Sequence, residues 1–191
     1  MTGASRFPLE LRGKQIVLRE IRLTDVTATF RWTSDPAFFR FLAVDPMESE
    51  AQEAAYLQSV YDDARTAPRM SYELGVALPE TDELVGMIRL RITSVEHREA
   101  DLAGGVDPAW SRRGVATEAA ALMVEFGFNE LALHRITATH HPDNEGSAHV
   151  LAKLGMQREG RLRENYLAHG VWRDSILYSI LEDELRATSV E

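Results

Sequence analysis

Gly104-Gly105-Val106-Asp107-Pro108-Ala109-Trp110-Ser111-Arg112-Arg113-Gly114-Val115-Ala116-Thr117-Glu118-Ala119 runs from the end of a strand, through a turn punctuated by Pro108 and Gly114, into a helix whose first turn is small and neutral. The first amides of such a helix have no partner within it, and they point with the positive end of the helix dipole at whatever lies above them. That makes an anion site, and Arg112 and Arg113 add charge beside it. A phosphorylated cofactor fits this arrangement better than a carboxylate substrate. An ordinary strand-to-helix turn carrying two solvated arginines fits the same residues. The stretch has neither the Gly-x4-Gly-Lys-[Ser/Thr] nor the Gly-x-Gly-x-x-Gly spacing. It also lies in mid-chain, whereas a Rossmann unit places its loop after the first strand of a parallel sheet.

On the N-terminal side of this stretch the period is that of strands. Residues 72–78, 84–93 and 100–106 are short β-branched or alternating runs separated by polar turns, and Ile88-Arg89-Leu90-Arg91-Ile92 alternates cleanly. Consecutive short strands of this kind predict antiparallel pairing. Earlier, residues 16–21 read as a strand, Thr24-Asp25 as a helix cap, and residues 48–64 as an amphipathic helix. Asp35-Pro36 and Asp45-Pro46 read as breaks. On the C-terminal side, helices over 115–128 and 147–154 alternate with strands over 135–140, 156–166 and 171–181, and residues 187–191 read as a frayed tail. The order β-α-α-β-β-β-α-β-α-β-β predicts an α+β fold around one mixed sheet, a single domain over 1–191 with its core at about 10–184.

Composition sets the outer limits. The chain has 191 residues, 45% of them hydrophobic, and carries 21 Lys and Arg against 30 Asp and Glu, for a formal charge of -9. This balance argues against a general grip on nucleic acid, which needs clustered cations, and it steers cationic substrates better than anionic ones. The chain has no cysteine, which excludes disulfides, thiolate metal sites and a covalent thioester on the protein. No apolar run approaches the length of a membrane span, and residues 1–8 lack the apolar segment of a secretory signal, so the expected setting is the cytoplasm with no membrane partner.

Trp-Ser-Arg-Arg-Gly-Val-Ala-Thr-Glu-Ala resembles the pyrophosphate loop of the GNAT superfamily of N-acetyltransferases, whose pattern is [Gln/Arg]-x-x-Gly-x-[Gly/Ala]. Residues 144–156 (Asn-Glu-Gly-Ser-Ala-His-Val-Leu-Ala-Lys-Leu-Gly-Met) resemble the family's Asn-x-x-Ser/Ala helix ending in Lys-Leu-Gly-Phe. Glu159-Gly160-Arg161-Leu162-Arg163-Glu164, Gly170-Val171-Trp172-Arg173-Asp174, Tyr178-Ser179-Ile180-Leu181 and the Leu-Arg-Gly-Lys-x-Ile-x-Leu-Arg-x-Ile opening are similar to its RimJ/RimL-like branch. The resemblance implies a mostly antiparallel sheet, splayed between its fourth and fifth strands with helices on both faces, that binds acetyl-CoA. The amides of Arg112, Arg113, Gly114, Val115, Ala116 and Thr117 would then hold the pyrophosphate, and Gly105 and Val106 would pair with the pantetheine arm. Ser111 stands where the family usually has Gln or Arg.

The resemblance also implies the chemistry. Many members place a Tyr two residues before the Lys-x-Gly to protonate the leaving thiolate, but that position is Leu151 here. The branch points instead to Ser147 near the sulfur and Asn144 as the group that orients pantetheine or substrate. Glu164 is the candidate base that takes a proton from the attacking ammonium, and a solvated Glu164 paired with Arg163 is the competing expectation. Without cysteine, transfer must be direct, within a ternary complex, the oxyanion meeting a backbone amide near Val106.

The acceptor amine stays open between a protein N-terminus, of the ribosomal-protein type, and a small cationic amine. A CoA-binding sensor or interaction module without catalysis is the alternative that Leu151 keeps alive. His140, His141 and His149 match no zinc spacing, so no metal is expected. Trp32, Phe38, Phe39 and Phe41 read as core, some of them lining the acceptor side. Arg161, Arg163 and Arg173 read as a solvated face, and a homodimer is the default assembly.

Overall fold

The computed structural model describes residues 7–188. Eight strands form one sheet in the order β1-β2-β3-β4-β5-β6-β8-β7. They are β1 (Glu10–Arg12), β2 (Val17–Glu20), β3 (Ser71–Ala77), β4 (Leu84–Ser94), β5 (Glu99–Val106), β6 (Arg135–His140), β7 (Gln157–Ala168) and β8 (Val171–Leu181). Every neighbouring pair is antiparallel except β5 with β6. That parallel pair is short. It runs from Glu99 opposite Arg135 to Asp101 opposite Thr137 and then opens. Beyond it, Leu102 to Val106 of β5 and Ala138 to His140 of β6 have no partner across the gap, so the sheet splays as the family resemblance implies.

Helices α1 (Val26–Thr33), α2 (Pro36–Phe39) and α3 (Glu50–Asp63) precede most of the sheet, and α4 (Val115–Asn129), α5 (Glu145–Lys153) and α6 (Glu182–Thr188) follow β5, β6 and β8. Alternation along the strands assigns the faces. Leu74, Val76, Ile88, Leu90, Leu102 and Ile136 join Ala119, Met123, Val124 and Phe126 of α4 in the main core. On the opposite face Leu57 and Val60 of α3 pack on Ile21, Ala77 and Leu84. Burying a side chain of this kind contributes about 1.5–3 kcal/mol, so the large core on the α4 side holds the sheet flat against that helix.

Three elements differ from the sequence reading. β1 adds a strand, so the splay lies between the fifth and sixth strands of the full count and the fourth and fifth of the predicted one. Asp35-Pro36 opens α2, with Asp35 accepting from the Ala37 amide at 2.8 Å and Pro36 at the first helical position. The predicted tail overlaps α6, which reaches Thr188, while residues 189–191 and the first six residues of the predicted N-terminal segment lie outside the described residues.

At the closed end of the parallel pair, Arg135 ties β6 to β7 and β5, donating to both Glu159 oxygens at 2.8 and 2.6 Å and to Glu99 at 3.1 Å. The bonds from Arg135 and then Ser179 hold the Glu159 carboxyl at about 2, below its ordinary 4.5. The His134 contact, then Arg98, lowers Glu182 in the same direction. A carboxyl whose pKa is depressed on folding contributes stability above its unfolded pKa and loses it as pH falls through the folded value. The melting temperature is therefore expected to fall between about pH 4.5 and 2, followed by circular dichroism, and Glu159→Gln should flatten part of that slope. An unchanged slope in the variant would rule this clamp out as a source of acid lability.

Candidate active site

The signature loop lies where β5 ends beside the gap. Asp107 turns the chain out of the strand: its amide donates to the Val85 carbonyl at 2.8 Å, and its Oδ1 accepts from Ala109 at 2.8 Å. Arg112 (φ 62) and Gly114 (φ 84) are then both left-handed. Left-handed residues interspersed in a turn curl successive amides toward one side and make an anion-binding concavity. Gly114 is the cap of α4, and the first amide to close a helical bond is that of Glu118, on the Gly114 carbonyl at 2.9 Å. Among the described residues the amides of Arg112, Arg113, Gly114, Val115, Ala116 and Thr117 have no protein acceptor. Arg113 rests over the Trp110 ring, 4.8 Å from its centroid, while Arg112 is exposed.

Glu118 braces this helix start. Its Oε1 accepts from the backbone amides of Lys14 and Gln15, the latter at 3.0 Å, and so ties the β1–β2 turn to α4. Nothing in the sequence marks that partnership across more than a hundred residues.

Gly105 and Val106 lie on the open edge of β5, half-buried and paired only to β4. An extended ligand could add to such an edge as a strand does. Across the gap, Asn144 caps α5, its Oδ1 accepting from the Ser147 amide at 3.1 Å. Ser147 and Asn144 therefore share one helix terminus, both partly exposed, and Leu151 one turn later is buried in the main core. The loop, the strand edge and the α5 terminus thus surround one wedge between β5 and β6.

Glu164 is placed differently. It lies in the irregular stretch of β7 between Leu162 and Tyr166, with φ 48 and its amide held by Asp174 at 2.8 Å. Its exposed carboxylate pairs with neither Arg163 nor any other described residue, and it lines an open cleft with Arg161, Leu162, Arg163, Asn165 and Asp174. Arg161 pairs with Asp174, and Arg161, Arg163 and Arg173 are all exposed as expected.

The side of the wedge toward α1–α3 has a roof that the sequence reading only partly anticipated. Trp32 and Phe39 are core, as predicted. Phe38 lies over Gly105 so closely that a Cβ there would come within 2.9 Å of its ring. Phe41 stacks on His141 at 5.4 Å, so the α2 segment reaches from the β5 edge to the residue after β6. Beside it is a cleft of about 420 Å³ lined by Arg31, Trp32, Asp35, Glu83, Asp107, Ala109 and Trp110. Arg31 bridges Glu83 at 2.8 Å and Asp107 at 3.2 Å, which leaves the cleft net acidic. On the same face the Tyr56 hydroxyl donates to Glu73, and burial raises both their pKa values.

No helix is long and apolar enough to cross a membrane, and no group of three or more His, Cys, Asp or Glu is placed to hold a metal ion, among the described residues.

A splayed sheet with a left-handed amide loop at its mouth is the arrangement of an acyltransferase, and residues 15–157 match the family described as Acetyltransferase (GNAT) domain. The N-acetyltransferase YoaA of Bacillus subtilis is 32% identical over 179 residues, covering 92% of this chain and 98% of that one. A GNAT-family acetyltransferase structure from Bacillus anthracis superposes with a TM-score of 0.81 at 27% identity, covering 92% of this chain and 100% of the other. More partial matches are the spermidine N(1)-acetyltransferase of Escherichia coli, 30% identical over 55% of this chain and 56% of that one, and its [ribosomal protein uS5]-alanine N-acetyltransferase, 25% over 58% and 57%. The chain belongs to the GNAT family and is an N-acetyltransferase of it.

Proposed function

We propose that the whole chain, as one catalytic unit in the cytoplasm, carries an acetyl group from acetyl-CoA directly to an amine. The observation that carries this reading is the run of free amides at Arg112 to Thr117 opening onto the unpaired edge at Gly105 and Val106. The amides hold the pyrophosphate and Arg112 adds charge, the β5 edge pairs with the pantetheine arm, and Asn144 orients it. Glu164 takes the proton from the acceptor ammonium, whose nitrogen then attacks the thioester carbon. An amide near Val106 receives the oxyanion, the C–S bond breaks as the intermediate collapses, and the second proton, shed by the new amide nitrogen, passes through Ser147 to the thiolate.

The acceptor best supported is a small cationic amine. Asp35, Glu83 and Asp107 against Arg31 in the roofed cleft favour positive charge, as does the formal charge of -9. A protein N-terminal amine is the second reading, favoured by the open cleft of about 750 Å³ at Glu164.

Thiol release from acetyl-CoA, followed with a thiol-reactive dye across polyamines, amino acids, aminoglycosides and N-terminal peptides, tests the proposal, and the cysteine-free chain is silent in that assay. Release with polyamines and not with peptides is the expected result. Ser147→Ala and Glu164→Gln are each expected to lower kcat by about 10²–10³-fold with acetyl-CoA affinity unaltered. Tight acetyl-CoA binding without turnover of any acceptor would favour the binding module instead.

A further inference from the structure

We infer that His140 positions the cosubstrate, its Nε2 accepting a hydrogen bond from a donor on the arm of bound CoA; this rests on the proposed function. His140 is the last residue of β6, beyond the last pairing with β5, and so stands at the rim of the wedge. It shares the face of Ile136 and Ala138, which the α4 core covers, and Asn144 and Ser147 begin α5 only a few residues later.

The residue is 8% exposed. Nδ1 lies 2.8 Å from the His141 carbonyl oxygen, which can only accept, so in the neutral ring Nδ1 carries the hydrogen and Nε2 presents a lone pair. That lone pair is buried and meets no donor among the described residues. The ring leans on Tyr178, with centroids 5.5 Å apart at 39°, so packing and the His141 carbonyl together fix its direction. A buried acceptor without a donor costs stability, and folded proteins rarely keep one that serves nothing. The pantetheine arm brings what is missing: amide N–H groups before and after transfer, and a thiol S–H after it.

The test compares His140→Leu and His140→Gln with the wild type by apo melting temperature and by calorimetric titration with acetyl-CoA and with CoA. Leu removes the lone pair at similar volume, and with it the Nδ1 donor to the His141 carbonyl, so the apo melting temperature reads the cost of that lost bond while the Kd should rise about tenfold. An amide N–H as the donor predicts the same loss for both ligands, and a thiol predicts a loss confined to CoA. Gln can place its Oε1 near the Nε2 position and should restore affinity to within about threefold. An unchanged Kd for both ligands in His140→Leu overturns the inference and marks the histidine as structural. Failure of the wild type to bind either ligand overturns the proposed function itself, and that result is visible before any variant is made.

Discussion

Replacing Arg69 by alanine is expected to destabilise the protein by about 3–5 kcal/mol, the cost of stranding one member of a buried ion pair. Its side chain is 1% exposed, and its two terminal nitrogens reach both oxygens of Glu20 at 2.6 and 3.1 Å. Nε donates to the Ser71 carbonyl at 2.9 Å, and the guanidinium lies over Tyr72, 4.5 Å from its centroid. Among the described residues Glu20 has one other donor in reach, the Leu9 amide at 3.0 Å, so truncation leaves a buried carboxylate on β2 with that one hydrogen bond among them. At about 2–4 °C per kcal/mol for a chain of this length, the melting temperature should fall by about 10 °C. The double variant Glu20→Leu/Arg69→Met should recover most of this in urea denaturation, because removing both charges removes the stranded one. A loss below about 1 kcal/mol in Arg69→Ala would mean that water reaches Glu20 and the pair is not truly buried.

This pair illustrates which features the sequence hides. Glu20 and Arg69 are 49 residues apart and nothing local in either predicts the other. The strands and helices around the wedge were legible because their periodicity is local: Ile88 to Ile92 alternates, and Gly114 followed by small residues marks a helix start. β1 was not, since Glu-Leu-Arg has no pattern of its own and becomes a strand only by lying against Val17 to Arg19. α2 was masked by Asp35-Pro36, a pair that breaks a helix from within but caps one from its start. The same division runs through the site. The amide loop, the β5 edge and the Asn144 cap are each contained in a few consecutive residues. The roof over Gly105, the Glu118 brace and the acidic cleft are contacts made by the tertiary fold, and Arg31 meets Asp107 across 76 residues.

Gly114→Val should abolish most acetyl-CoA binding while leaving the fold almost intact, and it is the sharpest separation of the two that the loop offers. At φ 84 a β-branched residue is strained by about 1–2 kcal/mol or more, and its Cβ would meet the Gln15 side-chain nitrogen at 3.3 Å. The exposed loop can relieve that strain by rotating Gly114 out of the left-handed region, which costs the core nothing. The rotation swings the amides of Val115, Ala116 and Thr117 off their common target. Hydrogen bonds to a charged group are worth about 1.5–3 kcal/mol each, so losing one or two weakens binding on the order of 100-fold. The melting temperature should fall by no more than a few degrees, because Val115 and the core beneath it are untouched. Arg112 supplies the contrast: it holds φ 62 with a side chain that glycine would do without. Arg112→Gly should therefore keep the loop's shape and lower affinity only by the lost charge, a few-fold, and less at high salt. Calorimetric titration beside thermal melts reads both variants. If Gly114→Val bound acetyl-CoA within threefold of the wild type, the converging amides would not be the anion site.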